Sequence, residues 1–577
     1  MVRVLFRARS TSDADGDSHT LRIFSLTLLS PIFLLMLIAC SDGDGQEPLA
    51  GTDGIPIAQS SPASGVEAPL SPNGPRYGGN LRIAQPGDPV SCDIAMSRGV
   101  GYQSVHPCNP MLSQIVRSSS NDHSAIAPDL AETWSVSADG RTWTFKLRPD
   151  ARWHDGSAVT ASDLKFSIDR VIEPPEGLFA GRAAPIAGYV SSTNQVAAIS
   201  DDTLTITTDF PAASFITNLA NVYVSVFPKA ITEQLDPPSM VLHENVIGSG
   251  PFKFSSATRG SFYEMVKNAD YYEPDLPYLD SITFLVIPSP AVRVAAMQTG
   301  EADIVMLLTE PEAESIASDS DRIRLIRQPS AGGNTVQMNL AKAPFDDPRV
   351  RRAVNLAFSR SDAVLALGGG FDGAIMPPGG PWALDPTEVS QLPGYGDDVS
   401  ERSRARELLT NAGYPDGLSV QMHSRSDPFS TSLAEFAVAQ LSEVGIDVDL
   451  IPLERTAYAE LVANGEHTLI SHSHSFSLDD PDAILPAHYS CGGAENFPGL
   501  CDAEIDRLIE MQSRETDPDA RKELVDEIQR RVWATDAKIW FNWSVRRTPV
   551  SVKVRNFDPG GPSLYQGRRF ESVWLAE

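Results

Sequence analysis

The chain has 577 residues, of which 42% are hydrophobic and 21% charged, and its formal net charge is −29. Because this length exceeds what a single hydrophobic core serves, it predicts a globular protein of two or three domains. The acidic balance argues against nucleic-acid binding, since no basic stripe is present to neutralise phosphates. It also argues against docking on an anionic lipid surface by charge alone.

An apolar run near the N-terminus indicates export. Residues 23–39 are almost entirely apolar and end in Leu-Ile-Ala immediately before Cys40. The run is shorter than a comfortable membrane span and resembles the bacterial lipobox, whose cysteine is diacylated and becomes the mature N-terminus. We therefore expect a lipoprotein signal peptide over residues 1–39, lipidation at Cys40 and a disordered tether over residues 40–77. An uncleaved membrane anchor is the alternative, and it too leaves the body outside the cytoplasm.

The other four cysteines fall into two local pairs. Cys92 and Cys108 are separated by 16 positions, and Cys491 and Cys501 by 10. No pair has the C-x-x-C spacing of zinc knuckles or redox motifs. Two short-loop disulfides in an oxidising compartment are the simplest interpretation, and four unpaired thiols are the alternative.

The first part of the body contains short strands and one clear hairpin. A strand is predicted at residues 78–84 and leads into a Pro- and Gly-rich turn. Asp139-Gly140 lies between two alternating runs, which is a strong hairpin signal. Thr160 is expected to cap a helix that has Asp163 in its first turn.

The middle of the chain carries the clearest helix start. Residues 335–340 alternate like a strand, Asp347 is a good N-cap, and Pro348 fits the first helical position. One apolar stripe then follows at helical spacing: Val350, Ala353, Val354, Ala357 and Phe358.

Helical and strand patterns alternate beyond this point. Helices are predicted at residues 404–412, 429–444 and 518–535, and strands at 418–422 and 446–453. Such alternation with short links indicates an α/β layer.

Several stretches, in order along the chain, resemble the extracellular solute-binding proteins of family 5, the receptors of ABC importers for oligopeptides, dipeptides and nickel. The longest is LAETWSVSADGRTWTFKLRPDARWHDGSAVTASDLKFSIDRV at residues 130–171. The others lie at residues 248–254, 268–272, 279–288, 297–304 and 339–361. The resemblance covers essentially the whole body after the tether.

The resemblance implies an α/β fold of the bilobed periplasmic-binding-protein type (class II), in which two mixed α/β lobes are joined by a two-strand hinge. The enlarged first lobe would comprise residues 78–328 with 545–577, and the second lobe residues 329–544. The two crossing strands are expected near Arg327–Gln337 and Ile539–Val545.

The ligand would lie in the cleft between the lobes, since deep pockets favour domain interfaces. The segment at residues 471–482 resembles the family's W-x-x-D-Y-P-D stretch. Phe476 then stands in place of the Trp, and Asp479 in place of the Asp that meets a peptide's α-ammonium. Asp480 replaces the Tyr, and Ser473 lies where some peptide binders have a basic residue. A helix cap or turn is the alternative role for Asp479.

Three further residues are candidate ligand contacts. Gln85 begins the turn after the first predicted strand, and His472 and His474 alternate on a probable strand, so the two imidazoles should point the same way. Two such imidazoles can bind a metal or a metal chelate, although no third ligand is evident in the sequence. A polar cleft wall that hydrogen-bonds the solute is the favoured interpretation, without a bound metal.

An enzyme is the competing class. His243-Glu244 begins an HExxH pattern, but Ile247 ends it, and no G-x-S-x-G, Walker A or dinucleotide-binding motif occurs.

The sequence therefore predicts a non-enzymatic binding component of an ABC importer, which captures a solute, foremost a peptide, and delivers it to a membrane permease. We expect a monomer without a cofactor. A metal chelate such as that of nickel, or another non-peptide solute, is the alternative ligand.

Overall fold

The computed structural model describes residues 55–56, 74–96, 102–119, 125–176, 178, 181–235, 245–317, 321–476, 478–559 and 569–576. The predicted signal peptide, Cys40 and most of the predicted tether lie outside these residues. None of the helices within them is long and apolar enough to cross a membrane.

The strands follow the chain in this order: β1 (Ile55–Pro56), β2 (Asn80–Gln85), β3 (Val116–Ser118), β4 (Ile126–Pro128), β5 (Ala131–Val136), β6 (Thr142–Leu147), β7 (Val196–Ser200), β8 (Thr203–Thr207), β9 (Phe252–Thr258), β10 (Phe262–Lys267), β11 (Ser281–Val286), β12 (Ile304–Val305), β13 (Ile323–Met338), β14 (Leu418–Arg425), β15 (Ile446–Leu453), β16 (Leu469–Ser473), β17 (Lys538–Ser551), β18 (Val554–Arg555) and β19 (Trp574–Leu575).

The α-helices are α1 (Tyr102–Cys108), α2 (Ala161–Ile172), α3 (Ser214–Leu219), α4 (Lys229–Thr232), α5 (Pro290–Thr299), α6 (Glu310–Ala317), α7 (Pro348–Ala357), α8 (Arg360–Ala366), α9 (Pro386–Val389), α10 (Asp398–Asn411), α11 (Pro428–Ser442), α12 (Arg455–Ala463), α13 (Pro481–Tyr489), α14 (Ala503–Arg514) and α15 (Pro518–Ala534).

One large sheet runs through the body. Its ten strands have the order β15-β14-β16-β13-β17-β12-β2-β11-β10-β9. A second sheet, of order β1-β5-β6-β8-β7, contains the predicted hairpin between β5 and β6. Gly140 turns that hairpin with φ +72°, a left-handed conformation that glycine adopts without steric cost. β1 pairs with the edge of β5 although it lies inside the predicted tether.

The two longest strands form the centre of the large sheet. β13 has 16 residues and β17 has 14, and they pair antiparallel from Ile323↔Ser551 to Gln337↔Lys538. Both crossing regions predicted from the sequence lie inside these strands. The sheet is therefore continuous from one half of the body to the other.

Separate hydrophobic cores lie on the two sides of this crossing. The first core draws its buried residues from positions 81–306 and again from 550–573. Two further cores use only positions 331–543. We call positions 81–306 with 550–573 the first half of the body and positions 331–543 the second half. The chain passes from the first half into the second and then returns to the first.

α7 begins where the sequence predicts. The Asp347 carboxylate accepts a hydrogen bond of 2.8 Å from the Arg349 backbone N–H, which caps the helix. The predicted stripe is buried against the second-half core, where Phe358 stacks on Phe541 with ring centroids 5.1 Å apart.

Both predicted disulfides are present. Cys92 is bonded to Cys108, and Cys491 to Cys501. The second disulfide closes the loop between α13 and α14, beside the predicted site.

Candidate ligand-binding site

The predicted site lies where parallel strands of the large sheet end. β16 is parallel to β14 and antiparallel to β13, with Ser473 opposite Asn334. Arg425 is the last residue of β14 and Ser473 is the last residue of β16. Both therefore lie at the carboxyl-end edge of these parallel strands, where ligands of α/β sheets commonly bind. The chain continues from this edge through Phe476 and Asp479 into α13.

Asp479 is a buried carboxylate without a partner. Neither of its side-chain oxygens has a hydrogen-bond partner among the described residues, and both are shielded from solvent. Burial, and secondarily the neighbouring Asp480, raise the pKa of Asp479 to about 7. The backbone at Gly380 closes over this carboxylate, since a Cβ at that position would lie 1.9 Å from Oδ2.

The neighbouring acids have structural partners. Asp480 caps α13 by accepting from the Asp482 backbone N–H at 2.9 Å, and it accepts two bonds of 3.3 Å from the Arg521 guanidinium. The helix-cap role left open for Asp479 therefore belongs to Asp480. Asp479 neither caps a helix nor pairs with a cation among the described residues.

Asp482 links the two halves of the body. The Tyr189 hydroxyl, which belongs to the first core, donates a 2.8 Å hydrogen bond to its carboxylate. Asn218 donates to the same hydroxyl at 3.0 Å, and the Arg514 guanidinium lies 5.5 Å from the Phe210 ring centroid. These contacts show that the halves meet directly beside the segment that carries Asp479.

His472 and His474 lie on one face of the chain, as predicted from their spacing. Their ring centroids are 4.7 Å apart. His474 is 5% exposed and stacks on Phe476 at 6.0 Å, whereas His472 is half-buried. Burial, with a smaller contribution from the cation of Lys538, lowers the pKa of His472 to about 3 and that of His474 well below its ordinary value. Both imidazoles are therefore neutral near pH 7.

Lys538 is a second buried ionisable group beside the site. Its Nζ lies 3.4 Å from His488 Nδ1 and 4.8 Å from the Tyr489 ring centroid. Burial lowers the pKa of Lys538 to about 7, opposed by the attraction of Glu495. No salt bridge to this ammonium is found in the part of the chain that the structure describes.

The remaining predicted contacts differ in their access to the cleft. Ser473 is half-buried at the end of β16. Phe476 is 4% exposed and packs against Trp540 and Trp543, as a core aromatic does. Gln85 is fully buried at the end of β2, where its amide donates to the Gly87 carbonyl at 2.8 Å. Contact of these residues with a solute stays a prediction.

Arg425 was not among the residues predicted for the site. A cavity of about 510 Å³ lies at the ends of the parallel strands β14 and β15 and is lined by Arg425, Ser426, Asp427, Glu454 and Arg455. The available signal was positional, because Arg425 lies shortly after the strand predicted at residues 418–422 in an α/β layer. A second cavity of about 610 Å³ has Gly380, the glycine that packs against Asp479, in its wall.

Glu495 is a third potential metal ligand, and the sequence alone did not reveal it. Ligand atoms of His472, His474 and Glu495 all lie within 4.8 Å of one another. The loop closed by the Cys491–Cys501 disulfide brings Glu495 to the histidines, and no local sequence spacing encodes that approach.

Comparison with known proteins shows which family has this architecture. A family model described as bacterial extracellular solute-binding proteins, family 5 Middle, matches residues 125–496, well over half of the chain. The glutathione-binding protein GsiB of Pectobacterium atrosepticum is 27% identical over 459 residues, which cover 78% of this chain and 85% of that protein. The dipeptide-binding protein of Escherichia coli is 26% identical over 477 residues, which cover 77% and 86%.

Solved structures share the fold. The periplasmic binding protein DppA of Helicobacter pylori, in complex with peptide STSA, has a TM-score of 0.70 at 24% identity and covers 87% of this chain and 99% of its own. The murein tripeptide-binding protein MppA of Escherichia coli has a TM-score of 0.71 at 21% identity, with coverages of 88% and 99%. These likenesses show a mixed α/β periplasmic-binding-protein fold.

The family consists of binding proteins. This agrees with the lack of catalytic motifs in the sequence. The match over residues 125–496 and the shared fold together carry the assignment. The chain belongs to family 5 of the bacterial extracellular solute-binding proteins.

Proposed function

We propose that the protein captures short peptides between its two halves and delivers them to the membrane permease of an ABC importer. The observation that carries this proposal is the Asp479 carboxylate, which is buried and unpaired beside the meeting point of the halves. The names of the relatives that bind glutathione or dipeptides agree with this class of ligand.

A peptide's α-ammonium is the complement of such a carboxylate. A buried charge is costly unless it is paired, and a charge-assisted hydrogen bond offsets that cost. An ammonium at Asp479 would lower the raised pKa of this carboxyl and hold it ionised. An N-acetylated peptide lacks this charge, so it should bind much more weakly.

The other end of a peptide carries a carboxylate, and the same sheet edge carries arginines. Arg425 and Arg455 both line the cavity at the ends of β14 and β15. Asp427 and Glu454 neutralise part of this charge while they cap α11 and α12. We infer that Arg425 and Arg455 bind the peptide carboxylate and that Asp479 binds the peptide ammonium.

Capture requires the halves to separate and close. We infer that residues 78–328 with 545–577 form one lobe and residues 329–544 the other, with β13 and β17 as the hinge. A ligand that bridges the lobes stabilises the closed state in proportion to its differential affinity for that state. The Tyr189–Asp482 hydrogen bond is then a contact of the closed state.

We also infer a membrane tether. Lipidation at Cys40 after cleavage of residues 1–39 would hold the body at the outer face of the membrane, near its permease. Two acyl chains anchor stably where one chain binds only weakly.

The test is isothermal titration calorimetry with a panel of di- and tripeptides and their N-acetylated forms. We expect at least one free peptide to bind with micromolar or tighter affinity. Acetylation and Asp479→Asn should each weaken binding by about 30-fold or more, since losing one partner of a buried charge pair costs about 2 kcal/mol or more.

Asp519→Asn is the matched control, because Asp519 is an exposed aspartate on α15 and is not one of the predicted site residues. This variant should bind as the wild type does. Equal affinity for free and acetylated peptides, or no binding anywhere in the panel, would contradict the proposal.

A further inference from the structure

Three potential metal ligands converge within the predicted binding region, none of them the Asp479 carboxylate. The ligand atoms of His472, His474 and Glu495 lie within 4.8 Å of one another. None of the three is needed for the ammonium contact at Asp479, so the cluster has a chemistry of its own. Its competence depends on which ring nitrogens carry lone pairs.

The hydrogen bonds of His472 leave one nitrogen free. The Tyr458 hydroxyl donates to the Ser471 carbonyl at 3.0 Å and lies 3.1 Å from His472 Nδ1. A hydroxyl has a single proton, and a carbonyl can only accept. When the Tyr458 proton goes to the carbonyl, the Tyr458 oxygen accepts from His472 Nδ1–H, and Nε2 presents its lone pair.

His474 can be oriented in the same way. Its Nε2 lies 3.2 Å from the Thr335 hydroxyl and 3.0 Å from the end of the Gln337 amide. The Gln337 amide can turn by 180° and place its oxygen at this contact, so that Nε2–H donates to it. His474 Nδ1 is buried, has no partner among the described residues, and then presents its lone pair.

Glu495 is held near the rings by its loop. Its backbone N–H donates to the Ala487 carbonyl at 2.8 Å, and Asn496 donates from its side chain to the carbonyls of Ser490 and Leu500. The Cys491–Cys501 disulfide closes the same loop. The Glu495 side chain is 51% exposed, so it can rotate toward the imidazoles without disturbing the core.

We propose that His472, His474 and Glu495 form a binding site for a divalent transition-metal ion, with Zn²⁺ as the best fit. Two imidazoles and one carboxylate are a zinc donor set, whereas Mg²⁺ and Ca²⁺ prefer oxygen ligands. Bonds of about 2.0–2.2 Å in a tetrahedron bring ligand atoms to about 3.4 Å apart. Rotation of Glu495 and small shifts of the two rings supply that contraction.

His488 lies beside this cluster of ligands. Its Nε2 lies 3.6 Å from a carboxylate oxygen of Glu495, and its ring centroid is 5.1 Å from that of His474. Lys538 opposes the metal, because its Nζ contacts the other nitrogen of His488 at 3.4 Å. Removing that amine should therefore strengthen metal binding rather than weaken it.

Equilibrium dialysis of the chelator-treated, purified protein against ZnCl2, with the bound metal counted by mass spectrometry, tests the site. We expect one Zn²⁺ per chain with micromolar or tighter affinity. Glu495→Gln should weaken binding by about 10-fold or more, and His472→Gln/His474→Gln should abolish it. Lys538→Met should bind more tightly than the wild type.

His423→Gln is the matched control, since His423 lies on β14 in the same half but outside the cluster. It should bind Zn²⁺ as the wild type does. Absence of bound Zn²⁺ in the wild type, or unchanged affinity in Glu495→Gln, would overturn the proposal. Because Glu495 is exposed, that variant decides the question even if the double histidine variant fails to fold. No peptide enters this experiment, so failure of the peptide proposal is detected separately.

Discussion

Two buried acids beside the first core, Asp129 and Asp93, are paired with arginines, whereas two buried ionisable groups beside the predicted site are not paired. Asp129 accepts two bonds of 2.8 Å from the Arg569 guanidinium, and Asp93 is paired with Arg170. Lys538 is 7% exposed and the side-chain oxygens of Asp479 are shielded from solvent, yet neither residue forms a salt bridge within the described residues.

The difference separates architecture from function. A paired internal charge is satisfied by the fold alone and needs nothing from outside. An unpaired one costs free energy until a ligand or an ion supplies its partner. The comparison therefore predicts opposite effects when the two kinds of residue are replaced.

Arg569→Met should have the largest effect on stability. It leaves Asp129 buried without its cation, which costs about 3–5 kcal/mol when one member of a buried pair is removed. Urea unfolding followed by circular dichroism measures this loss. A loss below about 1 kcal/mol would mean that the pair is not a structural requirement.

Asp479→Asn should stabilise the unliganded protein. The folded pKa of Asp479, about 7, lies above its unfolded value, so the penalty is complete above pH 7 and fades as the pH falls toward 4. Three pKa units correspond to at most about 4 kcal/mol, and we expect about 3 kcal/mol at pH 8. Urea unfolding at pH 8 and pH 4 checks the sign, and a destabilised variant at pH 8 would contradict it.

Lys538→Met should stabilise the protein with the opposite pH dependence. The folded pKa of Lys538, about 7, lies below its unfolded value, so the penalty is complete below pH 7 and fades as the pH rises toward 10. We expect a gain of about 2 kcal/mol at pH 6, since Glu495 and the Tyr489 ring compensate part of the cost. Melting curves at pH 6 and pH 9 measure it, and an equal gain at both would rule out this explanation.

Asp347→Ala should have the smallest effect of the series. Asp347 is half-buried, and its role is the cap of α7, which is worth about 1 kcal/mol. Asp347→Asn retains a capping oxygen and should lose only a few tenths of that amount. If both variants lose several kcal/mol in urea unfolding, the charge of Asp347 matters beyond its cap.

Local elements were predictable because local chemistry determines them. The N-cap at Asp347, the capping box between Thr160 and Asp163 and the glycine turn at Gly140 each depend on residues within four positions. The two long crossing strands and the family resemblance were then enough to predict the fold.

The partners of the site residues were less accessible. Asp479, Asp480 and Asp482 look alike in sequence, and only tertiary contacts with Arg521 and Tyr189 distinguish the paired acids from the unpaired one. Glu495 approaches His472 from more than 20 positions away, and Arg425 from nearly 50. Such approaches are set by packing, which no local pattern records.

The most direct test of the account is the pH dependence of peptide affinity, measured by calorimetry between pH 5.5 and pH 8.5. If an ammonium binds ionised Asp479, protonation of the free protein competes with it, and affinity should fall about tenfold per pH unit below pH 7. Asp479→Asn should bind weakly and without this slope. An affinity in the wild type that is constant across the range would contradict the central claim that Asp479 is the ligand's charge partner.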